Sequence, residues 1–168
     1  MELRNIPMPG LVPKQAYDIQ VRISGQEDTG IDLILSYGFG TLDFKYDPNV
    51  DYSKQPSRFG EIVFTTVIEH RFYWDTFCYN DFPEIAELEM KHFVLGDELR
   101  LIEVVGSPYT ENMLSKGVLS HLEDRMGGGP WGGVSEADVK HYRISFDKYG
   151  CFDILALGVR TREYELEC

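Results

Sequence analysis

Cysteine is scarce in this chain. Cys78, Cys151 and Cys168 are the three in 168 residues, an odd set with no close pair. A disulfide framework needs an even set and a zinc knuckle needs a C-x-x-C pair, so neither is expected. Reduced thiols in a cytoplasmic protein are the simplest account. No apolar run approaches the ~20 residues of a membrane-spanning helix. The opening residues Met1 to Pro7 hold no apolar stretch of the kind that marks a secretory leader. Positive charge is also in short supply, with 16 Lys and Arg against 28 Asp and Glu and a net charge of −12. Such a field repels phosphate backbones and anionic lipid, which argues against nucleic-acid and membrane partners and favours a basic protein. The sequence contains no H-E-x-x-H, no G-x-S-x-G, no G-x-x-x-x-G-K-[ST] and no G-x-G-x-x-G opening a helix. From these absences no catalytic residue, metal or cofactor is expected.

What remains is a globular composition: 43% apolar and 13% aromatic residues, enough for a single domain over 1–168 with its own core. The acidic excess is uneven, since residues 81–126 hold ten acids and four bases. Three prolines between Pro7 and Pro13 exclude helix and central strand, and predict an extended N-terminal arm over residues 1–16.

Alternation of apolar and polar residues is the dominant pattern, and it predicts strands. Tyr17, Ile19, Val21 and Ile23 alternate with polar residues as in a half-buried strand. Residues 31–36 and 40–46 predict two more. Over 61–75, Ile62, Phe64, Thr66, Ile68, His70, Phe72 and Trp74 fall on one face, and Glu69, Arg71, Tyr73 and Asp75 on the other. Residues 85–105 alternate similarly, and predict two strands around Gly96-Asp97. Tyr142, Ile144 and Phe146 lead through a tight turn into the apolar run 152–159, a hairpin. One helix is predicted over about 107–126, where Ser107-Pro108 supplies a cap and a first-turn proline and Leu114, Val118 and Leu122 form an apolar stripe. The fold class expected is mainly β (α+β), an antiparallel sandwich or open barrel with this helix covering an end or an open face.

The segment His141-Tyr142-Arg143-Ile144-Ser145-Phe146-Asp147-Lys148-Tyr149-Gly150-Cys151-Phe152-Asp153-Ile154 resembles the closing hairpin of small uncharacterised bacterial proteins, some classed as immunity proteins of toxin systems. The resemblance spans under a tenth of the chain. It implies a cytoplasmic inhibitor that binds a cognate toxin, and it carries over no functional residue.

Two functional readings follow. The first is a non-enzymatic binding protein that recognises a basic partner, such as a toxin, through an acidic, Tyr-bearing β surface at Glu69, Arg71, Tyr73 and Asp75. Tyr and Arg are typical interface anchors, and flanking acids supply complementary charge. The second is a small β-barrel that binds or hydrolyses a small molecule, with His70, Tyr73 and Trp74 near its pocket. A histidine on an apolar face titrates near neutrality and serves as base or ligand. Its commoner role is a neutral core residue with satisfied ring nitrogens.

Overall fold

The computed structural model describes residues 1–9, 17–26, 30–39, 57–73, 82–94, 101–119, 134–146 and 150–166. Seven strands form one antiparallel sheet: β1 (Glu2–Asn5), β2 (Tyr17–Gln26), β3 (Gly30–Phe39), β4 (Ser57–Tyr73), β5 (Leu101–Val105), β6 (Lys140–Phe146) and β7 (Gly150–Leu166). Their order across the sheet is β1-β5-β6-β7-β4-β3-β2. Among the described residues they are accompanied by the helices α1 (Pro83–Val94) and α2 (Pro108–Ser115), a 3-10 turn at Glu136–Asp138 and helical residues 118–119. The mainly antiparallel β architecture expected from the alternation is present, as an open sheet. The hairpin of β6 and β7 is also there, with Ile144 opposite Phe152 and Tyr142 opposite Ile154.

The sheet is strongly curled. β3 and β6 are three strands apart, which on a flat sheet means roughly 14 Å at ~4.8 Å per strand. Yet the rings of Tyr37 and Phe146 have centroids 5.8 Å apart. The concave side therefore closes on itself and buries Leu33, Leu35, Tyr37, Ile62, Phe64, Leu101, Ile144 and Ile154 in one core. The N-terminal arm contributes to this side. After β1 pairs with β5, Ile6 and Met8 pack on the core. Tyr37 Oη donates to the Pro9 carbonyl at 3.2 Å, and Thr161 Oγ1 to the Pro7 carbonyl at 3.3 Å. The carbonyls of a proline-rich segment are free to accept because the segment has no ladder of its own.

Three expectations need correction. Residues 83–94 are helix, where 85–105 was expected to be two strands. The burial follows a helical period: Phe82 and Ile85 are buried and Ala86, Glu89 and His92 half-buried, whereas Glu87, Met90 and Lys91 face out. Helix propensity, an acid in the first turn, Lys91 and His92 in the last, and the Glu87–Lys91 pair at 3.0 Å outweigh the alternation. Of the second expected strand, Leu101–Val105 remains.

The alternation along β4 is also interrupted. Ile62 and Phe64 join the concave core, then Val67 does so, while Ile68 packs on the opposite side. The chain changes phase at Thr66, which has φ 54 and donates its N–H to Asp32 Oδ1 at 3.0 Å, and the register with β7 shifts once, between Val67 and Glu69. A left-handed conformation is costly for a β-branched residue, and the bend it produces helps the long strand follow the curl. The register shift restores the phase, so His70 and Phe72 stand opposite Ile154 and Phe152 on the face of Ile62 and Phe64, as the alternation predicts, but His70 is exposed there and not buried.

The third correction concerns β2: Ile19 packs on the core, but Val21 and Ile23 are exposed on the sheet-edge hairpin. The predicted helix at 107–126 is found as α2 over Pro108–Ser115, followed by a turn at Lys116 and Gly117. Gly117 has φ 69, a conformation that ends a helix and favours glycine. Residues 120–126, the expected strand 40–46, Trp74 and Asp75 lie outside the described residues.

Candidate functional site

The convex side of the β4-β7-β6 strip is covered by the two helices, and it carries a polar cluster. In register, Arg71 of β4 stands opposite Asp153 of β7, which stands opposite Arg143 of β6. One step along, Glu69, Leu155 and His141 share the next row. Period-2 side-chain direction puts all of these on one face. Phe82 and Ile85 at the start of α1, with Tyr109 of α2, pack on Ile102, Val104, Val139 and Leu155 around the cluster.

Asp153 is the hub. Arg143 grips it with two parallel bonds, Nε to Oδ1 at 2.8 Å and Nη2 to Oδ2 at 2.9 Å, and its Nη1 reaches Glu89 Oε2 at 3.2 Å. His141 Nε2 lies 2.8 Å from Asp153 Oδ1. The other ring nitrogen, Nδ1, is 2.7 Å from Ser107 Oγ. Ser107 is the residue that caps α2, its Oγ accepting from the Tyr109 N–H at 3.2 Å. Asp153, His141, Arg143 and Ser107 are each at most 2% exposed.

Burial alone would raise the Asp153 carboxyl, but the donors on His141 and Arg143 overcome it and hold the group below the usual carboxylate range. Burial likewise depresses His141, against the pull of Asp153, so the ring is neutral near pH 7. An ionised carboxylate only accepts, so Nε2 carries the ring hydrogen and Nδ1 presents a lone pair to the Ser107 hydroxyl. Glu89 is shifted the other way, upward, because desolvation exceeds its attraction to Arg143.

A second group flanks the first. Arg71 Nε bonds Glu69 Oε1 at 3.1 Å, and the guanidinium lies over the Tyr109 ring at 4.7 Å. The Tyr109 ring meets His141 edge-on at 5.1 Å. Burial, and then the charge of Glu69, raise the Tyr109 phenol. Of the residues singled out from sequence, Glu69 and Arg71 are thus brought together, both half-buried, with half-buried Tyr73 further along the same strand. His70 stands opposite Ile154, a residue of the concave core, and so is not part of this cluster.

Sequence reasoning missed Ser107, Tyr109, His141, Arg143, Asp153 and Glu89. One signal pointed to them: Asp153 interrupts the apolar run from Phe152 to Leu157, and a charge inside a buried strand demands a buried partner. Among the described residues no group of three His, Cys, Asp or Glu could hold a metal ion. Nor, among them, is any helix long and apolar enough to cross a membrane. Compared with family models, curated proteins and solved structures, the chain finds no match.

Proposed function

We propose that the protein binds a basic protein partner through an acidic surface, with an immunity-type toxin inhibitor as the specific form. The observation that carries this reading is how the positive charges are used. Arg4, Arg22, Arg58, Arg71, Lys91, Lys140, Arg143 and Arg162 each sit within 4 Å of a carboxylate of the same chain. Eight of the 16 Lys and Arg are thus paired within the chain, and exposed Glu84, Glu111 and Glu136 are among the acids that carry the −12 excess. Such a field steers a basic partner and accelerates encounter. Tyr73, beside the Glu69–Arg71 pair, is the proposed anchor, and Asp75 is the next acid along the sequence.

The test is capture of partners at low salt, elution by rising salt, and association kinetics on the captured protein. Association is expected to slow markedly as salt rises, because attraction between exposed charges is screened beyond ~8 Å at physiological ionic strength. Tyr73→Ala is expected to speed dissociation at a cost of about 2 kcal/mol, and Asp75→Lys to slow association. A salt-independent rate, with both variants binding like the parent, would remove the proposal.

A further inference from the structure

A cleft of about 230 Å³ opens beside the cap of α2, and both Ser107 and His141 line it. Ser107 is 2% exposed and His141 1%, so both lie just beneath the wall of the cleft. We infer that Ser107, His141 and Asp153 form a nucleophile–base–carboxylate relay that hydrolyses a small, cationic carboxylic ester bound in this cleft.

The geometry supplies the proton-transfer chain of such a relay. The nucleophile and its base are 2.7 Å apart and the base and its orienting carboxylate 2.8 Å, within the reach that proton transfer needs. The ring is used in the opposite sense from serine proteases, with the carboxylate on Nε2 and the hydroxyl on Nδ1. Either nitrogen of a neutral imidazole serves as the acceptor, so the chemistry is unchanged. The Arg143 fork holds Asp153 in place, which in turn fixes which His141 nitrogen is free. The Tyr109 N–H donates to Ser107 Oγ at 3.2 Å and so helps hold the hydroxyl in line with His141.

In the reaction, Ser107 Oγ adds to the ester carbonyl carbon while its proton passes to His141 Nδ1. The bond from that carbon to the alcohol oxygen then breaks, and the alcohol leaves with the proton. Water repeats the sequence on the acyl-serine, forming the carboxylic acid and returning a proton to Ser107 Oγ. No other co-reactant is needed.

The substrate class comes from the walls. Among the described lining residues, Glu103, Glu111 and Glu136 stand against one side-chain cation, Lys140, which lies 3.9 Å from Glu103. That balance selects a positive substrate. The volume is below the ~300–1,000 Å³ of sites for drug-sized ligands, so the substrate is small.

The test uses the whole wild-type chain and a small sulfonyl fluoride, read by intact mass and peptide mapping. One adduct per chain on Ser107 is expected; no adduct at saturating reagent, or adducts only elsewhere, would overturn the inference. Acetylcholine is expected to be hydrolysed at least ten times faster than its uncharged isostere 3,3-dimethylbutyl acetate, and equal rates would overturn the substrate class. Ser107→Gly removes the nucleophile while keeping a residue that caps helices well, so a folded variant that retains ester hydrolysis would also refute the relay. The relay does not depend on the partner-binding reading: labelling of Ser107 and salt-dependent association are separate measurements, and either can fail alone.

Discussion

A carboxylate that makes three hydrogen bonds in a dry site is costly to disturb from one side only. Asp153→Ala leaves Arg143 and His141 without their shared acceptor, and removing one partner of a buried ion pair typically costs about 3–5 kcal/mol. Denaturant titration is expected to show a loss of that size. By contrast, His70→Ala removes an exposed side chain and should change stability by less than about 0.5 kcal/mol in the same assay. His141 makes the fold acid-sensitive. Its pKa in the folded protein is depressed below the ordinary 6.5, so the unfolded chain takes up a proton first as pH falls. The stability it contributes is complete above pH 6.5 and is lost progressively below it. Asp153, also depressed, adds a loss of the same sign below about pH 3.8, while Glu89, raised by burial, acts in the opposite sense. Melting temperatures at pH 7 and pH 5 should therefore fall for the parent, and fall less for His141→Gln.

Elements here are positioned by close fits that a single atom decides. Gly60 of β4 is paired with Tyr37 of β3, and a Cβ at Gly60 would run into the Tyr37 ring. The ring belongs to the concave core and cannot swing aside without opening it. Gly60→Ala is expected to cost about 1–3 kcal/mol as an overpacking change. Adding Tyr37→Leu should recover part of that cost, a non-additivity readable by a double-mutant cycle. The same scale shows what could be read beforehand. Strand positions and the β6–β7 hairpin were legible because alternation is a local property of the sequence. The Ser107 cap was legible too, from a serine followed by proline. Residues 83–94 were misread because Ala86, Leu88, Met90 and His92 also alternate, and whether they meet a sheet or lie over one is decided by elements far away in the chain. The polar side of β6, with His141 and Arg143, reads as solvent-facing until helices are known to cover it. The phase change at Thr66 left no local mark, since threonine favours strands and rarely adopts positive φ.

At the scale of the whole molecule, the curled sheet divides two kinds of interior. The concave side is an aromatic and aliphatic core closed by the N-terminal arm, while the convex side under α1 and α2 mixes apolar packing with ionised groups. Substitutions on the two sides should therefore respond differently to pH. Concave truncations such as Ile62→Ala are expected to lose a similar 2–5 kcal/mol at pH 5 and pH 7 in denaturant titrations. Losses from convex changes at His141 should shrink at pH 5, where the parent has already forfeited that contribution.

The pairing at the centre of the sheet also governs how the chain finds its structure. β4 and β7 run side by side from Ser57 opposite Leu166 to Tyr73 opposite Cys151, and Arg58 pairs with Glu163 across 105 positions of sequence. The meander of β2, β3 and β4 and the hairpin of β6 and β7 close over short distances, whereas their union must wait for a long loop to close. Refolding is therefore expected in the millisecond-to-second range of sheet proteins rich in distant contacts, not in microseconds. A circular permutant that cuts the β6–β7 turn and joins the original ends would leave β7 distant from its hairpin partner. Its refolding, followed by stopped-flow fluorescence, should be slower than that of the parent.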